Sequence, residues 1–151
     1  MKTCTRSKPC PEGFLHKQRE YLERLHTLHV KGLHIVHVLT LLRIWTQGAS
    51  VHVMRAVPVT RAWAELADAD VAALVDRLVG IQMTVAQKVQ ILLPIKEGGL
   101  GLGSVVSRHV SAWLGAWEGG IAAVAKSMGV GSMIEFEEQW PQFVACVKRL
   151  E

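Results

Sequence analysis

Between Leu92 and Ser104 the chain reads LLPIKEGGLGLGS, and four of these thirteen residues are glycine. Pro94 cannot continue a helix, and glycines set between leucines allow positive φ and close backbone approach. The stretches on either side carry helical periodicity, so this segment forbids one long rod and forces the chain to fold back on itself. It predicts a shaped connector in which Pro94, Gly98, Gly99 and Gly101 set the turn, while Leu100 and Leu102 pin it to the core.

With 151 residues, 50% of them hydrophobic and 20% charged, the chain has apolar material for one substantial core. Strand-like alternation is nearly absent. From Phe14 to Val30 the residues Phe14, Leu15, Leu22, Leu25 and Leu28 form a loose helical stripe ending near Gly32. Leu33–Trp45 is apolar almost all round, which predicts a helix buried in the middle of a bundle. From about Thr60 to Val79, Trp63, Leu66, Ala67, Val71, Leu74, Val75 and Leu78 share one face, with Pro58 and Gly80 as punctuation. Thr84 and Gln87 have capping-box spacing, so a short helix from Val85 to about Leu92 is expected, stopping before Pro94. Beyond the connector, Val106, Val110, Trp113, Leu114 and Trp117 mark a helix over 104–117. Ser132 and Glu135 suggest a last one ending near Leu150, with Pro141 inside it or at its start. The expectation is an all-α, compact bundle of about five to seven helices over 14–151, preceded by a flexible tail over 1–13.

Charge is uneven along the chain. Up to Arg55 there are nine basic residues (Lys2, Arg6, Lys8, Lys17, Arg19, Arg24, Lys31, Arg43, Arg55) against three acids (Glu12, Glu20, Glu23). The rest is slightly acidic. A basic end before a near-neutral body suits contact with a polyanion as well as it suits an ordinary solvated surface. No apolar run is long enough to span a bilayer, and no apolar stretch follows MKTCTRSKPCPEG as a secretory signal requires. A soluble, intracellular protein, nuclear or cytoplasmic, is expected.

Catalytic and metal chemistry find little footing. Cys4, Cys10 and His16 are spaced C-x5-C-x5-H, unlike the close cysteine pairs of structural zinc sites. His26, His29, His34 and His37 cluster, but Gly32 interrupts their helix and no carboxylate is placed to orient the rings. Ser107 and His109 lie two apart on a helix and do not meet, so they make no nucleophile and base. The glycines of 98–103 lack the Lys-Ser/Thr of a phosphate loop. Of the five tryptophans, Trp45, Trp63, Trp113, Trp117 and Trp140, four fall on predicted apolar faces or in apolar runs, which favours core filling over base stacking, and Trp117 reads as the most exposed. No catalytic residue, metal or cofactor is expected.

LLRIWTQGASVHVMRAVP (41–58), the long helix ending LVG, and TVAQKVQILLPIKEGGLGLGS (84–104) resemble the thumb that follows the palm in reverse transcriptases of non-LTR (LINE-type) retrotransposons. Leu93, Pro94, Gly98, Gly99, Leu100, Gly101 and Leu102 match that family's LP-x-x-x-GGLGL connector, and the likeness spans roughly 33–118. The family's polymerases hold two metal ions on palm aspartates, including an adjacent pair. This chain has no Asp-Asp, and Asp68 and Asp70 fall inside a predicted helix, where they point apart.

The resemblance therefore implies a non-catalytic, thumb-like fragment of an RNA-directed DNA polymerase. Its implied partners are a palm domain and the backbone of an RNA–DNA or DNA duplex. The implied phosphate contacts are Arg43 and Arg55 first, then His52, Arg61, Lys88, Lys96 and Arg108. The competing expectation is a helical protein-interaction module, or a decayed remnant, with no nucleic-acid role.

Overall fold

A computed structural model describes residues 11–129, together with Ile134, Glu135, Glu138 and Pro141. Among the described residues there are five α-helices and no strand: α1 (Pro11–Val30), α2 (Ile35–Ala56), α3 (Arg61–Val79), α4 (Val85–Leu92) and α5 (Val105–Met128), with a 3-10 turn at Ile95–Glu97 before α5. The fold is all-α, as the periodicity implied.

Local chemistry sets most of the boundaries. Pro11 opens α1, a position where its missing N–H is not needed, so the last residues expected in the tail already belong to a helix. The Nδ1 of His34 accepts from the Val36 N–H at the start of α2. Thr60 Oγ1 accepts from the Trp63 N–H at 3.3 Å to begin α3, and Gly80 closes it in the left-handed region. Thr84 and Gln87 form the capping box of α4, with the Thr84 N–H donating to Gln87 Oε1 at 2.8 Å.

Helix α3 is the spine. Its C-terminal half, Val71, Leu74, Val75 and Leu78, packs with Leu22 and Leu25 of α1, Val38 and Leu42 of α2, Ile91 of α4, and Leu102. Its N-terminal half, Trp63, Ala64 and Ala67, packs with Leu15, Met54, Val59 and Val105. Burying each larger side chain contributes about 1.5–3 kcal/mol, which holds the helices far more firmly than their intrinsic propensity. Gln18 is the polar exception between α1 and α3, and its Nε2 donates to the Ala67 carbonyl at 2.9 Å.

Five expectations are corrected. Helix α2 is not buried all round: Val36 and Ile44 are 57% and 64% exposed, and its buried side chains among the described residues are Val38, Leu42, Thr46, Ser50 and Met54, a ladder at four-residue intervals. The helix also continues past Trp45 and through Gly48 to Ala56, because that ladder gives its second half a packing partner in α5. Leu28, Leu66 and Leu114 lie outside the core, and α5 runs well beyond Trp117. Leu102 is fully buried as expected of a pinning residue, but Leu100 is exposed. The helix predicted over 132–150 falls outside the described residues, apart from Ile134, Glu135, Glu138 and Pro141, whose backbone is helical.

Candidate functional site

The glycine connector folds back along the end of α4. The N–H groups of Gly101 and Gly103 donate to the carbonyls of Leu93 and Leu92 at 2.9 and 3.0 Å, and the Leu100 N–H reaches Ile91 O at 3.3 Å. These are carbonyls that the last turn of a helix leaves without intrahelical partners, so the connector caps α4. A side chain at Gly99 would place its Cβ 2.1 Å from Leu93 O, and Gly101 sits at φ 68°. Only glycine allows that closeness and that backbone angle.

The same bonds turn these connector N–H groups inward, which removes them as an anion cradle. The N-terminus of α5 is occupied too. Asp68, from α3, accepts from the N–H groups of Val105 and Val106 at 2.8 and 3.2 Å and from Ser104 Oγ at 2.7 Å. A carboxylate complements the positive helix end and leaves a phosphate no vacancy there.

Two of the candidate arginines flank this connector. Arg43, half-buried on α2, lies beside Gly101 and shares a shallow hollow with Thr40, Ile95 and Leu100. Arg108 lies over Gly103, where an added Cβ would stand 2.7 Å from its Nη2, and its Nε donates to the Ser104 carbonyl at 3.0 Å. Its Nη2 is buried with no hydrogen-bond partner. Burial pushes the Arg108 guanidinium below its ordinary value, and the nearby Asp68 carboxylate opposes that shift.

The remaining candidates are scattered. Arg55 and His52 lie exposed near the far end of α2, around Gly48. Arg43 and Arg55 are separated by about 18 Å along the helix and about 120° around it, so α2 does not gather them into one patch. Arg61 is paired with Glu65 at 3.0 Å, Lys88 with Asp76 at 3.1 Å, and the exposed Lys96 touches Glu97 at 3.8 Å.

Three further cations, which the sequence leaves among the general basic residues, are Lys17 and Arg24 on α1 and Lys31 in the turn that follows it. Lys17, Arg24 and Lys31 are exposed and make no ion pair among the described residues. Their seven-residue spacing, two helical turns, is the signal that could have found them.

The aspartates lie apart in three different settings. Asp68 caps α5, Asp70 takes the Arg19 Nε–H at 2.8 Å, and Asp76 accepts from the Met83 N–H at 2.8 Å beside Lys88. The Met83 hydrogen bond, and then Lys88, hold the Asp76 carboxyl below its usual range. Gly32 separates α1 from α2, so the histidines bond locally: His29 Nδ1 to the Leu33 carbonyl at 2.9 Å, and His34 to its own helix start. No group of three or more His, Cys, Asp or Glu that could hold a metal ion occurs among the described residues. His109 bonds the Val106 carbonyl through Nδ1, and Ser107 donates to Ser104 O, so the two do not meet.

Trp63 and Trp113 are buried. Trp45 stacks on Tyr21 at 4.3 Å, and Trp117 tilts against Trp113 at 5.8 Å, so aromatic neighbours cover part of each ring. Trp140 lies outside the described residues.

No protein-family model, curated protein or solved structure matches this chain. No helix among the described residues is long and apolar enough to cross a membrane. What fold and surface define together is an all-α bundle whose first two helices carry surplus, unpaired positive charge.

Proposed function

We propose that this helical bundle is a non-catalytic, thumb-like module that contacts the sugar-phosphate backbone of a template-primer duplex, beside a palm domain that carries the chemistry. The supporting observation is how charge is partnered. Every acidic side chain described between Gly13 and Glu97 has a polar or ionic contact: Glu20 with His16, Glu23 with Arg77, Glu65 with Arg61, Asp68 with the α5 terminus, Asp70 with Arg19, Asp76 with Met83 and Lys88, and Glu97 with Lys96. Lys17, Arg24, Lys31, Arg43 and Arg55 are left over. Free cations beside satisfied acids suit a partner that brings the negative charge. Phosphate contacts of this kind carry no base preference.

The competing reading, a protein-interaction module, is favoured by one feature. Val85 and Val89 of α4, and Leu93 just after it, are exposed. Under the proposal that face is available to the palm-like neighbour, so both readings place a protein there and only the first adds nucleic acid.

The test is fluorescence anisotropy of RNA–DNA hybrids and DNA duplexes of unrelated sequence, titrated with the whole chain. Comparable binding at about 50 mM salt is expected for all sequences. The plot of log affinity against log salt should fall with a slope of about −2 or steeper, since each neutralised phosphate of B-form DNA contributes about 0.9. Absent binding at that salt, or a flat plot, overturns the proposal.

A further inference from the structure

We infer that the outward ridge formed by Lys17 and Arg24 of α1 and Lys31 of the turn after it is itself a track for nucleic-acid phosphates, separate from the α2 and connector residues. This rests on the polyanion reading above and extends it to a helix that lies before the stretch resembling a thumb. Lys17 and Arg24 fall within about 20° of arc on the helix surface and about 10 Å apart, and Lys31 follows in the turn that closes the helix. All three are exposed, whereas Leu15, Gln18, Leu22 and Leu25 face α2 and α3 on the other side.

The neighbouring acids neutralise the ridge only in part. Glu20 stands one turn before Arg24, the favourable order for a helical ion pair, yet it contacts His16 at 3.8 Å. Glu23 is drawn across to Arg77 of α3 at 2.8 Å. Glu20 also stands three residues after Lys17 and offsets part of the charge at that end, whereas Lys31 has Thr27 and Leu28 four and three residues before it, neither of them acidic. The long flexible stems of lysine deliver a point charge without a fixed register, which suits backbone contact that tolerates sliding. An anionic membrane surface is the weaker partner for this ridge, because lipid insertion needs an apolar face and that of α1 is buried in the bundle.

The test compares the full chain with Lys17→Gln, Arg24→Gln and Lys31→Gln, singly and combined, and with the charge-keeping triple Lys17→Arg, Arg24→Lys, Lys31→Arg. Circular dichroism of each confirms the fold. On a DNA duplex, each neutralisation should shallow the salt slope by about 0.9 and the triple by about 2.7, while the charge-keeping triple retains the slope. Between about 50 and 200 mM salt, that difference is an affinity loss of about fortyfold that the neutralised triple no longer suffers.

A neutralised triple with the wild-type slope overturns the ridge. If Arg43→Ala with Arg55→Ala then lowers the slope, the backbone-contacting reading survives without it. No binding by the wild-type chain removes both. Loss of binding to phosphatidylserine vesicles in the triple, with duplex binding intact, identifies a lipid surface and also overturns the assignment.

Discussion

Replacing Asp68 by alanine tests how the connector and α5 are held together. Its carboxylate takes three hydrogen bonds, at 2.7, 2.8 and 3.2 Å, from Ser104 Oγ and the first N–H groups of α5, and its charge stands near the half-buried Arg108. Losing a cap costs about 0.5–2 kcal/mol. Losing the charge at a partly buried helix end adds up to about 2 kcal/mol. Arg108 is left with its desolvation unopposed, so Asp68→Ala should cost about 2–4 kcal/mol in total. That corresponds to roughly 5–15 °C in Tm for a chain of this size. Asp68→Asn keeps an oxygen in place without the charge and should lose about half as much. Urea and thermal unfolding followed at 222 nm measure both. A stability for Asp68→Ala within about 0.5 kcal/mol of wild type would refute the capping role, leaving Ser104 as the sufficient cap.

Two glycines should respond in opposite directions. Gly99→Ala drives a Cβ into backbone atoms of Gln90 and Leu93 and should destabilise by about 3 kcal/mol, whereas Gly48→Ala, mid-helix with open space around it, should stabilise by about 0.5–1 kcal/mol; urea midpoints compare them. Thr46→Val removes the hydroxyl that donates to the buried Leu102 carbonyl at 2.9 Å, and should cost about 1–2 kcal/mol in the same assay. Because the folded Asp76 carboxyl titrates below its unfolded value, its contribution is present above the ordinary carboxylate range and is lost as pH falls through the depressed folded value. Wild type and Asp76→Asn should therefore differ in Tm near neutrality and converge below about pH 4.

Helices α3 and α4 were legible because their ends are written in local chemistry: Thr60 and Gly80 for one, Thr84 with Gln87 for the other. The connector was legible for a similar reason, since Pro94 and the glycines limit the backbone whatever surrounds it. Helix α2 resisted, because a segment apolar all round does not say which face is inside. Its buried ladder includes Thr46 and Ser50, which hydropathy would assign to the surface and which bond backbone carbonyls instead. The helix also passes through Gly48, because the packing of Met54 and its neighbours outweighs the roughly 1 kcal/mol that glycine costs a helix.

Among the candidate cations, sequence supplied the residues but not their partners. Asp70 meets Arg19 and Arg77 meets Glu23 only because α1 lies against α3, so which cations stay free depends on the packing. Arg61 and Lys88, which the resemblance implies as phosphate contacts, are paired with Glu65 and Asp76. Lys17, Arg24 and Lys31 count among the basic residues of the N-terminal stretch but lie before 33–118, the segment whose resemblance implies the phosphate contacts.

The most direct measurement is side-chain NMR of the lysine and arginine groups while a DNA duplex is titrated into the whole chain. Shifts are expected at Lys17, Arg24, Lys31, Arg43 and Arg55, with Arg19, Arg61, Arg77 and Lys88 unmoved in their ion pairs. Unchanged signals at the five free cations, with perturbation confined to Val85, Val89 and Leu93 when a protein partner is added, would contradict the backbone-contacting role and leave a protein-docking bundle.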